Sequence, residues 1–292
     1  MYMTGFADEA STNIDGQIKA TLELGWENIE ARNIDGVNIH DIDDKAFDIV
    51  YGKLQDAGVS INCFGSTIAN WAKSIEQPMH PDIESLNRAI PRMKKLGTKL
   101  MRIMSYAVIP NRSPEKQEKD ARFTRLNIIA EMLLQEGIQP VHENCMNFGG
   151  MGWSYTLELI NEVPGLKLVF DTGNPVFFDD RTKREPFPKQ SSWEFYEIVK
   201  QHIVYIHIKD GIWDGQNMNY TYPGEGSGDV VKIMTDLISS GYDGGVSIEP
   251  HLATVFHDEA QQKSSEELKL NTYVEYGRRI EKIIKQISGK YG

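Results

Sequence analysis

Cysteine is scarce in this sequence of 292 residues, and the two that occur, Cys63 and Cys145, show neither metal-type nor disulfide-framework spacing. We therefore expect both thiols to be reduced, as in a reducing compartment. No apolar run approaches the length of a membrane-spanning helix, and the first residues lack the basic and apolar segments of a signal peptide. These absences predict a cytoplasmic protein that does not bind a membrane.

Positive charge is also in short supply. Lys and Arg total 31 against 42 Asp and Glu, the formal net charge is -11, and the basic residues form no stripe. Because nucleic acids are bound through basic footprints on their phosphates, we expect no nucleic-acid partner. The Gly-x-Gly-x-x-Gly turn that would follow the first strand of an open dinucleotide-binding sheet is absent as well.

The sequence does contain a regular alternation of short apolar runs and amphipathic stretches. Runs rich in β-branched and aromatic residues predict strands at residues 2–6, 26–31, 59–64, 100–104, 138–143, 166–171, 203–210 and 245–249. Predicted helices separate the strands, and a terminal helical region covers residues 259–287. Such alternation predicts a parallel sheet, and eight units favour closure into a barrel. We predict one domain over residues 1–292, a single (β/α)8 TIM barrel of the α/β class.

Four of the predicted strands, the fifth to the eighth, deliver an acid or a histidine at the same end. These residues are Glu143, Asp171, His207 and Glu249. Taken singly, each is as well explained by a helix cap, a salt bridge or a core hydrogen bond. Together they predict a metal site, since the carboxyl ends of parallel strands converge on one mouth. Oxygen-rich ligands with one imidazole favour a divalent ion, Mn²⁺ first, with Mg²⁺, Co²⁺ or Zn²⁺ as the other candidates.

Several neighbouring polar residues could complete this site. Lys209 lies two residues after His207 and therefore on the same side, so it can reach a substrate. Its alternative is a salt bridge at the barrel rim with Asp210 or Glu225. His142 precedes Glu143 directly, and we expect it to point to the opposite face and pack against a helix.

Other substrate-binding candidates come from earlier strands and from loops. Glu30 and Arg102 lie in the second and fourth predicted strands and could bind hydroxyls or a second charge, or form a structural ion pair. Trp71 and Trp153 lie in loops on the side of the mouth, where they could form an apolar wall for a sugar or simply cover the core.

The segments that carry these residues resemble the sugar isomerase/epimerase superfamily with the xylose-isomerase-like barrel. The matching pieces are His142-Glu143-Asn144, Phe170-Asp171-Thr-Gly, Ile206-His207-Ile-Lys209-Asp210, Gly224-Glu-Gly226 and Ser247-Ile-Glu249-Pro. That group includes ketose 3-epimerases, inosose dehydratase and endonuclease IV. The resemblance implies that the four strand-end residues bind one divalent ion and that Glu143 and Glu249 act as acid and base.

Two positions depart from the pattern of the epimerases. Asn174 stands where a histidine is usual, and Trp213 where an arginine is common. Asparagine can hydrogen-bond a sugar hydroxyl but does not titrate near neutral pH. We count Asn174, and Glu225 of the glycine-rich piece, among the substrate-binding candidates.

The function predicted from these features is metal-dependent isomerisation or epimerisation of a keto-sugar or related polyol through an enediolate. A lyase or dehydratase acting on a keto-sugar, keto-inositol or keto-glycoside is the main alternative, because the same first step can end in elimination. A non-catalytic sugar-binding barrel and a DNA repair enzyme similar to endonuclease IV are further alternatives. The expected partner is a small carbohydrate, and a homo-oligomer is left open.

Overall fold

The computed structural model describes residues 1–253 and 264–291. Eight short strands form one parallel sheet in which each strand pairs with its neighbours in chain order. They are β1 (Tyr2–Gly5), β2 (Asn28–Ala31), β3 (Ser60–Gly65), β4 (Leu100–Ile103), β5 (Gln139–Glu143), β6 (Lys167–Asp171), β7 (Ile203–Ile208) and β8 (Gly245–Ile248). The predicted (β/α)8 barrel is confirmed.

The ring closes where the first strand meets both the last and the second. β1 pairs with β8 along its whole length, from Tyr2 opposite Gly245 to Gly5 opposite Ile248. Toward β2 the link is a parallel bridge between Phe6 and Glu30. Next to it the Thr4 hydroxyl donates to the Asn28 carbonyl at 3.1 Å. The sheet is therefore a nearly closed barrel.

Nine α-helices occur among the described residues. They are α1 (Ile14–Glu23), α2 (Asp44–Ala57), α3 (His80–Leu96), α4 (Lys119–Gln135), α5 (Trp153–Glu162), α6 (Asn174–Phe177), α7 (Ser192–Val199), α8 (Val230–Ser239) and α9 (Glu266–Tyr291). All but the short α6, which lies at the mouth, cover the outside of the barrel. Residues 259–263 of the predicted terminal helix lie outside the described residues. Among the helices described, none combines the length and the apolarity that crossing a membrane requires.

Local sequence signals set the helix ends. The side chains of Asn13, Asp43 and Ser191 accept backbone N–H hydrogen bonds at the starts of α1, α2 and α7. α2 and α3 stop at Gly58 and Gly97, whose positive φ angles suit glycine. These caps keep the helices short and return the chain to the sheet.

The interior of the barrel below the mouth is polar as well as packed. Thr4 donates to Asn62 at 2.8 Å, Asn62 to the Tyr205 hydroxyl at 2.9 Å, and Tyr205 to Glu30 at 3.0 Å. Ser247 donates to the same Glu30 carboxylate at 2.6 Å. This chain of hydrogen bonds fixes Glu30 in a fully buried position under the mouth.

Two hairpins and a short helix shape the mouth. Asn33–Ile34 pairs with Val37–Asn38 after β2, and Gly211–Trp213 pairs with Met218–Tyr220 after β7. The long segment after β6 begins with α6, and a bridge between Asp179 and Lys189 joins its two ends. The hairpin after β7 extends over the carboxyl ends of the strands, where Met218 and Tyr220 line the mouth.

Candidate active site at the mouth of the barrel

The structure brings the four predicted ligands together. Glu143 and Asp171 end β5 and β6, His207 lies one residue before the end of β7, and Glu249 directly follows β8. One ligand atom from each lies within 4.8 Å of those of the others, and all four residues are buried. Parallel strands in register put these positions at one level of the ring, as the repeated strand endings predicted.

His207 is oriented from below by Glu30. Its Nε2 lies 3.0 Å from Glu30 Oε2, which leaves Nδ1 turned toward Glu143 Oε1 at 3.7 Å and Glu249 Oε2 at 3.8 Å. Burial would lower the pKa of His207, but the charges of Glu30 and Glu143 outweigh it and raise that pKa to about 10. A carboxylate behind a histidine is the arrangement that orients metal-ligating imidazoles.

Glu143 is held by a buried arginine from the neighbouring strand. Arg102 Nη1 donates to Glu143 Oε2 at 2.9 Å, and Asn174 Nδ2 donates to Oε1 at 3.2 Å. Burial would raise the pKa of Glu143, but Arg102 and His207 lower it to about 2. Glu143 is therefore a carboxylate at neutral pH.

Asp171 has one oxygen committed to the backbone. Its Oδ1 accepts from the N–H groups of Gly173 at 2.8 Å and Asn174 at 2.7 Å, while Lys209 Nζ lies 3.0 Å from Oδ2. Burial raises the pKa of Asp171 to about 6, against the attraction of Lys209. The two oxygens thus have different tasks, since Oδ1 fixes the loop and Oδ2 faces the cluster.

Glu249 stands between two cations. Lys209 Nζ donates to its Oε2 at 2.9 Å, and Arg32 Nη1 donates to its Oε1 at 3.1 Å. Burial alone would raise the pKa of Glu249, but Lys209, His251 and Arg32 hold it well below the usual range. The pKa of Lys209 is raised well above its usual value because three carboxylates outweigh its burial.

A second polar group adjoins Glu249 and was not among the predicted site residues. Arg32 contacts Asp8 at 2.9 Å and Glu9 at 3.3 Å, and His251 Nδ1 lies 2.9 Å from Glu9 Oε1. Arg32 directly follows β2, whereas Asp8, Glu9 and His251 lie three or four residues beyond the ends of β1 and β8. A charged residue at a strand end could have indicated Arg32, but the other three lie in turns whose course the strand pattern does not predict.

The cluster fits a divalent cation. One of its buried ligand atoms, His207 Nδ1, has no hydrogen-bond partner among residues 1–253 and 264–291, and Asp171 Oδ2 is paired there with Lys209. Two ligands that are each about 2.1 Å from one ion lie at most about 4.2 Å apart. The 3.7 and 3.8 Å separations from His207 Nδ1 meet this limit. Three carboxylates and one imidazole suit Mn²⁺ or Mg²⁺.

A cavity of about 450 Å³ opens above the cluster. Glu143, Glu249, Lys209, Arg102 and Asn174 contribute to its polar lining, and Trp71 lies on its wall.

Three other predicted residues lie elsewhere. Glu30 lies under His207, and Trp153 starts α5 and borders surface cavities with Glu194 and Phe187. Glu225, more than half exposed, pairs with Arg279 at 2.6 Å.

The fold is similar to that of known proteins. Among curated proteins, no sequence matches the chain significantly. Solved structures of similar fold include a D-tagatose 3-epimerase-like protein, at 16% identity and a TM-score of 0.73 over 100% of each chain. A xylose isomerase-like TIM barrel protein from Mycobacterium smegmatis in complex with magnesium has 15% identity and a TM-score of 0.70, covering 98% of this chain and 97% of that chain.

A third solved structure is the probable 3-DHS dehydratase AsbF from Bacillus anthracis, at 15% identity and a TM-score of 0.64 over 93% of this chain and 97% of that chain. Identities this low show similarity of fold alone. The model of the family described as xylose isomerase-like TIM barrel, however, matches residues 18–270 of the sequence itself. The chain therefore belongs to the xylose isomerase-like TIM barrel family.

Proposed function

We propose that the protein is a divalent-metal-dependent isomerase or epimerase that acts on a keto-sugar or a related polyol through an enediolate. The observation that carries the proposal is that Glu143 and Glu249 line the cavity and also belong to the four-residue cluster. Glu143, Asp171, His207 and Glu249 would hold the ion, for which we favour Mn²⁺. A bound divalent ion would polarise the substrate carbonyl and favour negative charge on the adjacent oxygens.

The two glutamates supply the proton chemistry. They reach the cavity from β5 and from the end of β8, three strands apart around the ring. Each is a carboxylate at neutral pH, so either can remove the proton on the carbon next to the substrate carbonyl. Return of a proton from the opposite side inverts that carbon, which is epimerisation. Return of the proton to the neighbouring carbon interconverts a ketose and an aldose.

Lys209 positions one of these glutamates. Its raised pKa keeps Nζ protonated at neutral pH, and Nζ lies 2.9 Å from Glu249 Oε2. The ammonium group can therefore hold Glu249 in place, or donate a hydrogen bond to a leaving oxygen on the substrate. The second role supports a lyase or dehydratase acting on a keto-sugar, keto-inositol or keto-glycoside as the other candidate. The similar fold of a probable 3-DHS dehydratase also supports this candidate.

Solvent deuterium exchange tests the proposal directly. The Mn²⁺-loaded protein is incubated in D₂O with a panel of keto-sugars and followed by proton NMR. We expect deuterium at the carbon next to the carbonyl, at a rate reduced roughly 100-fold or more in Glu143→Gln and Glu249→Gln. Glu136→Gln, at an exposed pair with Lys94, is the matched control and should exchange like the wild type.

The products in the same spectra distinguish the outcomes. A new epimer, an aldose or an unsaturated product identifies epimerisation, isomerisation or elimination. Absence of exchange with every hydroxy-ketone, in protein that has bound the ion, would refute the enzymatic proposal and leave a sugar-binding barrel.

A further inference from the structure

A second cavity adjoins the one above the cluster. It measures about 250 Å³ and lies between the loops that follow β4, β5 and β6. Four residues line both cavities, namely Trp71, Cys145, Met146 and Phe178. A ligand that rests on the inner cluster and extends past these side chains therefore enters the outer cavity.

The inner cavity is larger than a single sugar needs. A hexose fills roughly 200 Å³ at the packing density of protein interiors and organic crystals. The inner cavity alone holds about 450 Å³. A monosaccharide bound through Glu143 and Glu249 would therefore leave more than half of the inner cavity and the whole outer cavity to water. A ligand with a second group would fill this space and gain the apolar burial that it offers.

The outer cavity presents apolar surface to that second group. Besides the four shared residues, its lining includes Ala107, Val108 and Met151. The amide side chain in its lining already has hydrogen-bond partners. Asn147 Oδ1 is 2.7 Å from the Ser105 hydroxyl and 3.1 Å from His142 Nε2, and Nδ2 donates to the Glu143 carbonyl at 3.0 Å.

The two charged residues of this cavity lie beside other side chains. Asp179 accepts from Lys189 Nζ at 2.9 Å, and the Arg181 guanidinium lies over the Phe187 ring at 5.5 Å, a contact that uses none of its N–H donors. Apart from these donors, a second sugar ring would find few hydrogen-bond partners here and would lose those it makes with water. An aromatic or aliphatic group would lose none.

We propose that the natural substrate is a sugar that carries an apolar substituent, an aromatic or aliphatic aglycone, with the sugar over the cluster and the substituent in the outer cavity. This inference rests on the proposed function, because the cluster is what places the sugar. It adds that the specificity of the site lies in Trp71, Met146, Phe178 and Val108, and that a free monosaccharide uses only the inner half.

Binding of matched glycoside pairs tests the inference without requiring turnover. The probes are the phenyl and methyl β-glycosides of glucose, galactose, mannose and xylose, titrated calorimetrically into the Mn²⁺-loaded protein. We expect at least one phenyl glycoside to bind tenfold or more tightly than its methyl partner. Val108→Trp, which adds bulk to the wall of the outer cavity, should reduce that ratio to near one. Val231→Trp, the same change at an exposed position of α8 on neither cavity lining, should keep it.

Two results would overturn the inference. One is that no phenyl glycoside binds more tightly than its methyl partner. The other is a phenyl advantage that Val108→Trp leaves intact. Neither result bears on deuterium exchange with free keto-sugars, so a failure here and a failure of the proposed function are separate observations.

Discussion

Glu30 comes from β2 and His207 from β7, and their side chains meet beneath the cluster, with 3.0 Å between Glu30 Oε2 and His207 Nε2. Both residues are completely buried. Glu30 accepts a hydrogen bond from His207 Nε2–H, so His207 presents Nδ1 to the carboxylates above. The second strand thus controls a ligand on the seventh, although Glu30 itself lies outside the cavity lining.

Replacing Glu30 by glutamine should weaken metal binding. The neutral amide no longer fixes the tautomer of His207 or raises its basicity, and we expect Mn²⁺ affinity to fall roughly 10- to 100-fold in calorimetric titrations. Glu27→Gln, the same change at an exposed position directly before β2, is the matched control and should bind Mn²⁺ like the wild type. Wild-type affinity in Glu30→Gln would show that His207 is not oriented in this way.

Metal addition should stabilise the fold. At 100 times its Kd, an ion that binds the native state alone contributes about 2.7 kcal/mol, which corresponds to a rise in Tm of roughly 4 °C for a chain of this size. Thermal unfolding with and without Mn²⁺ measures the rise, and chelation should reverse it. Asp171→Asn should lose most of the rise, whereas Glu158→Gln, at a surface pair with Lys119, should keep it. An equal rise in Asp171→Asn would place the ion elsewhere.

His142 should make the fold sensitive to mild acid. Burial lowers its pKa from 6.5 to about 4, so the folded state keeps it neutral. The unfolded chain therefore takes up the proton first as pH falls, and stability is lost between about pH 6.5 and 4. The loss from this one group is about 3 kcal/mol.

Denaturant unfolding across that pH range checks the prediction. His142→Gln should flatten the pH dependence of the free energy of unfolding relative to the wild type. His80→Gln, at an exposed position on α3, should not. Identical slopes in the wild type and His142→Gln would contradict the assignment.

Asp210 should control the order of the hairpin loop after β7. Its buried carboxylate accepts four backbone N–H bonds, from Gly211, Gly224, Gly226 and Gly228, at 2.8 to 3.1 Å. Asp210→Ala leaves these donors without their acceptor, so amide hydrogen exchange of the three later glycines should accelerate at least tenfold.

The matched control for this experiment lies in the same loop. Asp214→Ala removes an acceptor for Gln216 and Asn217 at the exposed tip and should change exchange only there. Unchanged exchange at the glycines in Asp210→Ala would mean that the loop is held by other contacts.

The fold could be predicted because its signals are local. Each strand is a short apolar run, and glycines such as Gly58 and Gly97, which favour helix ends, follow the last residues of α2 and α3. α4 shows the limit. The pattern from residue 115 looks helical, but Pro114–Lys116 forms a separate 3-10 turn and Glu118 takes a left-handed φ, so the helix begins at Lys119.

The cluster could be predicted because strand register is shared around a barrel. Positions at the ends of neighbouring strands are neighbours in space, so the sequence alone brought Glu143, Asp171 and His207 together. The partners that tune the cluster are different. From the sequence, Lys209 could equally have paired with Asp210 or Glu225. Side-chain rotamers decide which partner Lys209 takes, and they also decide that Asp210 binds backbone amides.

Loop geometry set the remaining limit. The positions of Trp71 and Trp153 in the sequence do not predict that Trp71 lines the cavity, whereas Trp153 starts α5 at a distance from that cavity. The partners of Arg32, which span Asp8 and Glu9 after β1 and Glu249 after β8, depend on how three chain segments meet at the seam of the barrel.

The junction between β1 and β2, where the barrel closes, affects how the protein unfolds. Seven of the eight pairs of neighbouring strands are joined by several consecutive residue pairs. In the part of the chain that the structure describes, β1 and β2 share one backbone bridge. That bridge joins Phe6 and Glu30, and Glu30 orients the imidazole of His207. Glu30 thus belongs to the weakest junction of the barrel and also orients a predicted metal ligand. We therefore expect local opening at this junction on heating to release a bound ion before any helix unfolds.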